Sequence, residues 1–437
     1  MKILFILPEY YPHSGGGIST YYLHYIKALK NEVDEICVLV GSGYTQSEDI
    51  FNIDGIKIEY LKPTIYKNYL NKFSKFDLVP EYRNNIAAAW AMWKQSNEGA
   101  GFDIIECTDF GLGFVPWLVN HKLPVVTRLH GSTGQIDLYE THFKTGLSGD
   151  LHRQAELILL NYADKLISHS LANKIYWENI LRKNVELVFT IFSNEQVFVS
   201  LNEKENYGIV CGRIQDWKGP DILSKAIELL QVEKPIIKWF GRNTSFDGKI
   251  DKITHLQKSY PKIWGKQILP QEPLPHHKII KIQKQAKFAV IPSTWDMFNF
   301  TGLEYLSSGT VLICSENAGV SELIENGVNG FKYSNNDPLE LANCIEAVLK
   351  LNEREYKQIV ENAKTTLLKN LDSKKILEAN AQIYKHLLNI NTYINDNVYL
   401  NELFKPIGNK YNLGDLLKNI SLKKLIHYTL DRTIKKI

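Results

Sequence analysis

The chain reads as an α/β protein: two doubly wound parallel-sheet halves facing each other across a cleft, followed by a helical C-terminal tail. Three observations predict this. Short β-rich apolar runs alternate with longer helical patterns along the chain. Runs such as Ile104-Ile105 and Val125-Val126 lack the in–out alternation of a one-faced sheet, as expected of strands covered on both faces. The alternation then pauses at a polar stretch, 201–206, and restarts at Tyr207.

Taken in order, strands are expected at Lys2–Leu7, Glu35–Val40, 56–61, 103–107, Val125–Leu129 and Lys165–Ser168, with helices at 18–29, 82–94 and 151–163. The second half gives strands at 207–211, Ile236–Phe240, 267–269, 288–291 and 311–314. Its helices are expected at 221–230, 274–285, 303–308, 320–326, 338–351 and 353–388. This predicts a first domain over 1–200, a second over 207–370, a helix at 371–388 crossing back to the first, and a basic tail over 389–437. No repeat is visible in the residues themselves.

Composition narrows the function. The 437 residues suit two or three domains. With 44% apolar and 23% charged residues the chain is globular rather than disordered. A net charge of +3 is too near neutrality for nucleic acid to be the main partner. Charge gathers only in residues 401–437, where eight basic side chains face three acidic ones. Leucine, isoleucine and lysine mix over 416–437, a pattern that either lies on an anionic membrane or packs on the first domain. Five scattered cysteines form no CxxC pair and read as buried thiols of a reducing compartment. The apolar N-terminal run meets Pro8 after a few residues, so it reads as a strand and not a signal peptide. No run approaches the ~18 apolar residues of a membrane span. A cytoplasmic protein is expected, with the tail the one candidate for contact with the inner face of a membrane.

In sheets of this kind ligands sit beyond the carboxyl ends of the strands, so function is sought in the loops there. The segment 291–304 is the richest. A buried strand ends at Pro292, Asp296 follows in the loop, and Glu304 lies eight residues later on a starting helix. A helix N-terminus carries unpaired N–H groups and about half a positive charge, which suits a phosphate, and Glu304 can accept ribose hydroxyls beside it. The plainer alternative makes Asp296 a helix cap and Glu304 a solvated first-turn acid.

Residues Pro292, Ser293, Asp296, Phe298, Leu303, Glu304 and Gly309 resemble, in register, the acidic signature of retaining glycosyltransferase family 4. Trp295 and Asn299 fit the branch of that family with Trp before the first acid. One position departs: the first acid is Asp296 where the family has Glu. The resemblance implies a GT-B fold, two Rossmann-like doubly wound domains, and transfer from a nucleotide sugar with retained anomeric configuration. It places Asp296 at the donor sugar and Glu304 on the ribose. Asn299, Phe300, Thr301 and Gly302 join the donor-binding set.

Other segments are similar to the same family. Gly212-Arg213 followed by Lys218-Gly219 matches its diphosphate-gripping segment, and fixed cations there stabilise the charge on a leaving diphosphate. Gly15-Gly16-Gly17, between strand and helix, looks like its phosphate loop; there is no GxGxxG, which lowers the case for a dehydrogenase. His130, at a strand end before Gly131, resembles the sugar-pocket histidine. Asn317–Ile324 resembles the glycine turn, in which Gly319 can take φ > 0 and present amides to an anion. Asp109 is expected on the acceptor side, with a structural role the alternative. Asp137, Tyr139, Glu140 and His142 are similarly placed.

The expected site therefore has Asp296, His130, Arg213 and Lys218 as catalytic groups. Donor binding falls to Gly15, Gly16, Gly17, Gly212, Arg213, Lys218, Asn299, Phe300, Thr301, Gly302 and Glu304, with Asp109 toward the acceptor. The expected partners are a UDP- or GDP-linked sugar and a glycan, lipid-linked or other hydroxyl acceptor. Neither cofactor nor metal is expected, since no Asp-x-Asp motif is present and cations and helix termini can take a metal's place. Two other classes stay open: a nucleotide-sugar epimerase or hydrolase on the same scaffold, and a non-catalytic sugar-nucleotide-binding descendant.

Overall fold

A computed structural model describes residues 1–13, 16–140, 146–192, 200–246, 248–389, 398–407, 417–418 and 420–434. The first half builds an eight-stranded sheet in the order β3-β4-β2-β1-β5-β6-β7-β8. Its strands are β1 (Lys2–Leu7), β2 (Glu35–Val40), β3 (Ile50–Ile53), β4 (Ile56–Tyr60), β5 (Ile104–Thr108), β6 (Val125–Leu129), β7 (Lys165–Ser168) and β8 (Val185–Leu187). All pair in parallel except the β3–β4 hairpin. The central strands are buried along nearly their whole length, which is why they read as unbroken apolar runs.

The second half builds a six-stranded parallel sheet in the order β11-β10-β9-β12-β13-β14. Its strands are β9 (Glu205–Cys211), β10 (Ile236–Phe240), β11 (Ile268–Gln271), β12 (Ala286–Ile291), β13 (Val311–Ser315) and β14 (Phe331–Tyr333). Chain order reverses between β1 and β5 in one sheet and between β9 and β12 in the other. Those reversals are the points where α/β sheets open a crevice for ligands.

Helices α1 (Gly17–Leu29), α2 (Pro63–Lys72), α3 (Pro80–Gln95), α4 (Val115–Val119), α5 (Thr133–Tyr139), α6 (Leu147–Leu159) and α7 (Leu171–Leu181) surround the first sheet. Around the second lie α8 (Pro220–Leu229), α9 (Lys252–Ser259), α10 (His276–Gln285), α11 (Phe300–Ser307), α12 (Pro338–Lys350) and α13 (Glu353–Asn370). The expected helix 320–326 is instead a short 3₁₀ turn, Gly319–Leu323.

The single helix expected over 353–388 is broken. After α13, Asp372 accepts a hydrogen bond from the amide of Lys374 (3.0 Å) and opens a new helix, α14 (Ser373–Asn389). This helix lies on the first sheet. Arg128 is fully buried there, donating to Glu106 (Nε–Oε1 2.6 Å) and to Asn380 of α14 (2.7 Å). The Tyr384 hydroxyl bonds Tyr25 (2.5 Å) and Glu106. A further helix, α15 (Val398–Phe404), packs by α4, and Trp90 of α3 donates to the Phe404 carbonyl (3.0 Å). Helix α16 (Leu422–Ile434) follows, its apolar side chains largely exposed.

Candidate active site

The turn after β9 and the loop after β12 meet at the carboxyl edge of the second sheet. Gly219, at φ +73°, makes that approach possible: a Cβ there would fall 1.7 Å from the Pro292 carbonyl oxygen. Held against that loop, Lys218 places its ammonium on Asp296 Oδ2 and 4.0 Å from the centroid of the Trp217 ring. Asn299 Nδ2 donates to the same oxygen (2.5 Å), and Ser293 Oγ lies 3.5 Å away. The Asp296 backbone is pinned by Asn317 and Gly319 (3.0 and 2.9 Å).

Asp296 is thus not a helix cap. Asn299 holds the N-cap position of α11, and its buried Oδ1 finds no partner among the described residues. Gly212, Lys218, Ser293, Asn299 and Thr301 line one recess. Arg213 faces the same ground. Its side chain is exposed; desolvation by its surroundings lowers its pKa, and the charges of Glu9 and Asp296 act against that. Gly319 corrects its expected role. Its φ is not positive; glycine is needed because a Cβ would sit 2.0 Å from the Met297 carbonyl oxygen. Gly302 likewise packs closely on Val320.

Glu304 is buried in α11 rather than solvated. Its Oε1 is bonded by His276 Nε2 (2.7 Å) and its Oε2 by Gln283 (2.9 Å), both from α10. Gln283 is wholly buried, whereas the His276 side chain is 65% exposed. Hydrogen bonding to Glu304 raises the His276 pKa above its ordinary 6.5.

From the first half, Gly16 is the N-cap of α1, with the Glu9 carboxylate set against it and accepting from the Ser19 amide (3.3 Å). Gly17 has open space where a side chain would project. Gly15 lies outside the described residues, as does His142. His130 directly follows β6, with its ring among Tyr21, Tyr22 and His169, centroids 4.8, 5.4 and 5.0 Å away. Burial, His169 and Arg128 hold its pKa well below 6.5, so the ring is neutral. Its Nε2 has no partner among the described residues.

Asp109 does not line an acceptor surface. It is fully buried, and its oxygens accept the amides of His130 (2.8 Å) and Gly131 (3.2 Å). It fixes the turn that presents His130, and burial pushes its carboxyl up to about 8.

The halves touch across the cleft. Trp295 stacks on Tyr139 (4.8 Å, 4°) and leans on Trp217. Phe300 points across to Tyr21 (6.3 Å), away from the recess. Glu322 accepts from the Leu171 and Ala172 amides at the start of α7 (2.8 and 2.9 Å). Glu140 accepts from the Asp216 amide (3.3 Å).

The structure therefore gathers Gly212, Arg213, Lys218, Asp296, Asn299 and Thr301 at one edge, with Glu304 on the helix that starts there. His130 and Gly16 lie on the opposing half. Sequence reasoning missed Glu9, His276, Gln283 and His169. Glu9 follows Pro8 at a strand end, which is a usable local signal; the partners of the others are long-range. Among the described residues, no three His, Cys, Asp or Glu side chains are grouped to hold a metal.

Comparison with known proteins bears on the fold and the family. Residues 192–366 match the family described as glycosyl transferases group 1. An uncharacterized glycosyltransferase of Methanocaldococcus jannaschii is 25% identical over 378 residues, 83% of this chain and 92% of that protein. A D-inositol 3-phosphate glycosyltransferase of Corynebacterium diphtheriae is 22% identical over 57% of this chain and 62% of its own length. Among solved structures, sucrose-phosphate synthase from Thermosynechococcus elongatus superposes with a TM-score of 0.68 at 17% identity, covering 89% of this chain and 99% of that one. Anabaena HepE in complex with UDP-glucose gives 0.61 at 18% identity, covering 88% and 100%. Residues 192–366 thus match the glycosyl transferases group 1 family, and the chain that carries them has the GT-B fold.

Proposed function

We propose that the protein is a retaining, metal-independent glycosyltransferase of family 4. It moves a sugar from a UDP- or GDP-linked donor to a hydroxyl of a glycan or lipid-linked acceptor in polysaccharide or glycolipid assembly. The observation that carries this is the Lys218–Asp296 ion pair beside the start of α11, with Arg213 near enough to feel the Asp296 charge. A leaving nucleoside diphosphate gains negative charge as the glycosidic bond breaks, and fixed cations stabilise that change. On this reading Lys218 and Arg213 hold the diphosphate and Glu304 accepts the ribose hydroxyls. Asp296 and neutral His130 orient the sugar. The acceptor oxygen attacks the anomeric carbon on the face the diphosphate leaves, and the departing phosphate oxygen takes the acceptor proton. The UDP-glucose named in the HepE structure supports a nucleotide-sugar donor of this class.

A donor panel read by diphosphate release, with the product anomer assigned by NMR and EDTA present throughout, tests the proposal. Retained configuration and an EDTA-insensitive rate are expected. An isomerised donor formed without acceptor would make the protein an epimerase. Nucleotide binding without diphosphate release from any donor would make it a binding descendant.

The tail bears on location. No helix among the described residues is long and apolar enough to cross a membrane. Helix α16 exposes Leu422, Ile426 and Leu430, beside Lys423 and Lys424, and residues 416–430 contain no acid. A basic amphipathic helix of this kind suits an anionic membrane surface. Sedimentation of the full chain with phosphatidylglycerol vesicles, and not with phosphatidylcholine alone, is the expected result.

A further inference from the structure

Both oxygens of the Glu304 carboxylate already have partners, and the two partners differ in kind. Gln283 is wholly buried between α10 and α11 and cannot leave without opening the fold. His276 is the first residue of α10, mostly in solvent, and can swing away at little cost in packing. The contact at 2.7 Å is also an ion pair whenever the imidazole is protonated, and charge-assisted bonds are the stronger kind.

We propose that His276 is a displaceable competitor for the ribose hydroxyls at Glu304, so that its protonation sets donor affinity. This rests on the assignment of Glu304 to the ribose. Bound donor needs Oε1; protonated His276 holds it most tightly; the neutral ring holds it less. Donor binding is therefore coupled to release of a proton from His276. The groups facing the ring are few. Glu304 comes from α11, and His277 and Lys278 follow on the same helix. Across the cleft α1 brings His24, whose charged form is disfavoured by burial, by His276 and by Lys27, and favoured by Glu304, with a lowered pKa as the net result. His24 is thus the weaker proton holder of the two histidines.

The sign follows from linkage. The free protein binds the His276 proton more tightly than the donor complex does, so donor KM rises as pH falls through the raised His276 pKa. The rise is limited to about tenfold per pH unit for a single proton. The ribose contact is made alike in ground and transition states, so kcat at saturating donor stays level.

The test uses the full chain, with donor KM and kcat measured from pH 5.5 to 8.5 and UDP and GDP binding measured by calorimetry. His276→Gln keeps a neutral donor group but cannot titrate. It is expected to flatten the acid rise in KM, to bind nucleotide more tightly than wild type below pH 6.5, and to leave kcat unchanged. A His276→Gln profile superposing on wild type overturns the proposal, as does a pH-independent fall in kcat, which would mark a structural role. Glu304→Ala separates the two readings. If it binds UDP and GDP as tightly as wild type, the ribose assignment and this proposal fall together. If it weakens binding while His276→Gln follows wild type, only this proposal fails.

Discussion

The Lys218 ammonium is paired with Asp296 Oδ2, joining two residues 78 positions apart across the mouth of the second sheet. On the proposed function both are wanted by a nucleotide sugar, the cation by its diphosphate and the carboxylate by its sugar. On that assignment the pair keeps the cation where the leaving group's charge would develop, so little reorganisation would accompany bond breaking. Asp296 has a shorter reach than Glu, and this matches its direct hold on Lys218 and Asn299.

Lys218→Ala is therefore expected to lower kcat by ~10²–10³, the usual cost of losing one charge-stabilising group. The pair is mostly buried, so removing the cation should also lower the melting temperature. Asn299 remains on Asp296 and keeps the loop in place. Turnover at the wild-type rate, measured at saturating donor, would contradict the assignment.

Two glycines should respond in opposite ways. Gly219→Ala puts a Cβ into the Pro292 carbonyl at a left-handed φ, so the turn carrying Lys218 must move. Loss of activity and a lower melting temperature are expected together. Gly17→Ala meets nothing within 4 Å, lies at the first turn of α1, and should melt like wild type. Equal melting temperatures for the two variants would contradict this account.

The sequence was most legible where physics is local. Buried parallel strands announce themselves as unbroken apolar runs, and Gly212-Arg213 and Lys218-Gly219 are recognisable because a strand end and a tight turn fix their spacing. The β3–β4 hairpin had a signal that went unread: Asp54-Gly55, both at positive φ (53° and 78°), is a two-residue hairpin turn. The break at Leu371–Asp372 was marked only by an ordinary N-cap residue inside a helical pattern. His276 was invisible because its partner lies 28 residues on, brought near by the α10–α11 packing. Asp109 at a strand end looks the same in sequence whether it faces solvent or two backbone amides. Only the fold decides that.

The Arg128–Glu106 pair lies in the first sheet, beneath α14, with both side chains fully buried. Glu106→Gln leaves the guanidinium without its counter-charge, and breaking such a pair costs about 3–5 kcal/mol. Tyr384→Phe removes only a hydroxyl and should cost less, about 1–3 kcal/mol. Chemical denaturation of the two variants measures both. A Glu106→Gln protein as stable as wild type would show that the α14 contact does not depend on the charge pair.

The contact between the halves carries its own pH dependence. Glu140 packs against Asp216, which is itself paired with Lys252. Burial first, and then the Asp216 charge, push the Glu140 carboxyl from its ordinary 4.5 up to about 7. Where the halves part, Glu140 meets water and recovers an ordinary pKa. The joined form therefore holds an extra proton between about pH 4.5 and 7. Its contribution to joining is full below 4.5, declines as pH rises through that window, and is gone above about 7. Glu140→Gln cannot ionise and loses this dependence. Other buried carboxyls titrate nearby, Glu156 among them at about 7, so the quantity to follow is the difference between the two proteins. Melting temperature recorded from pH 5 to 8 for both should show Glu140→Gln gaining on wild type as pH rises to about 7 and holding that gain beyond it. A difference constant across the range would mean that Glu140 is already ionised in the contact, balanced there by Lys252.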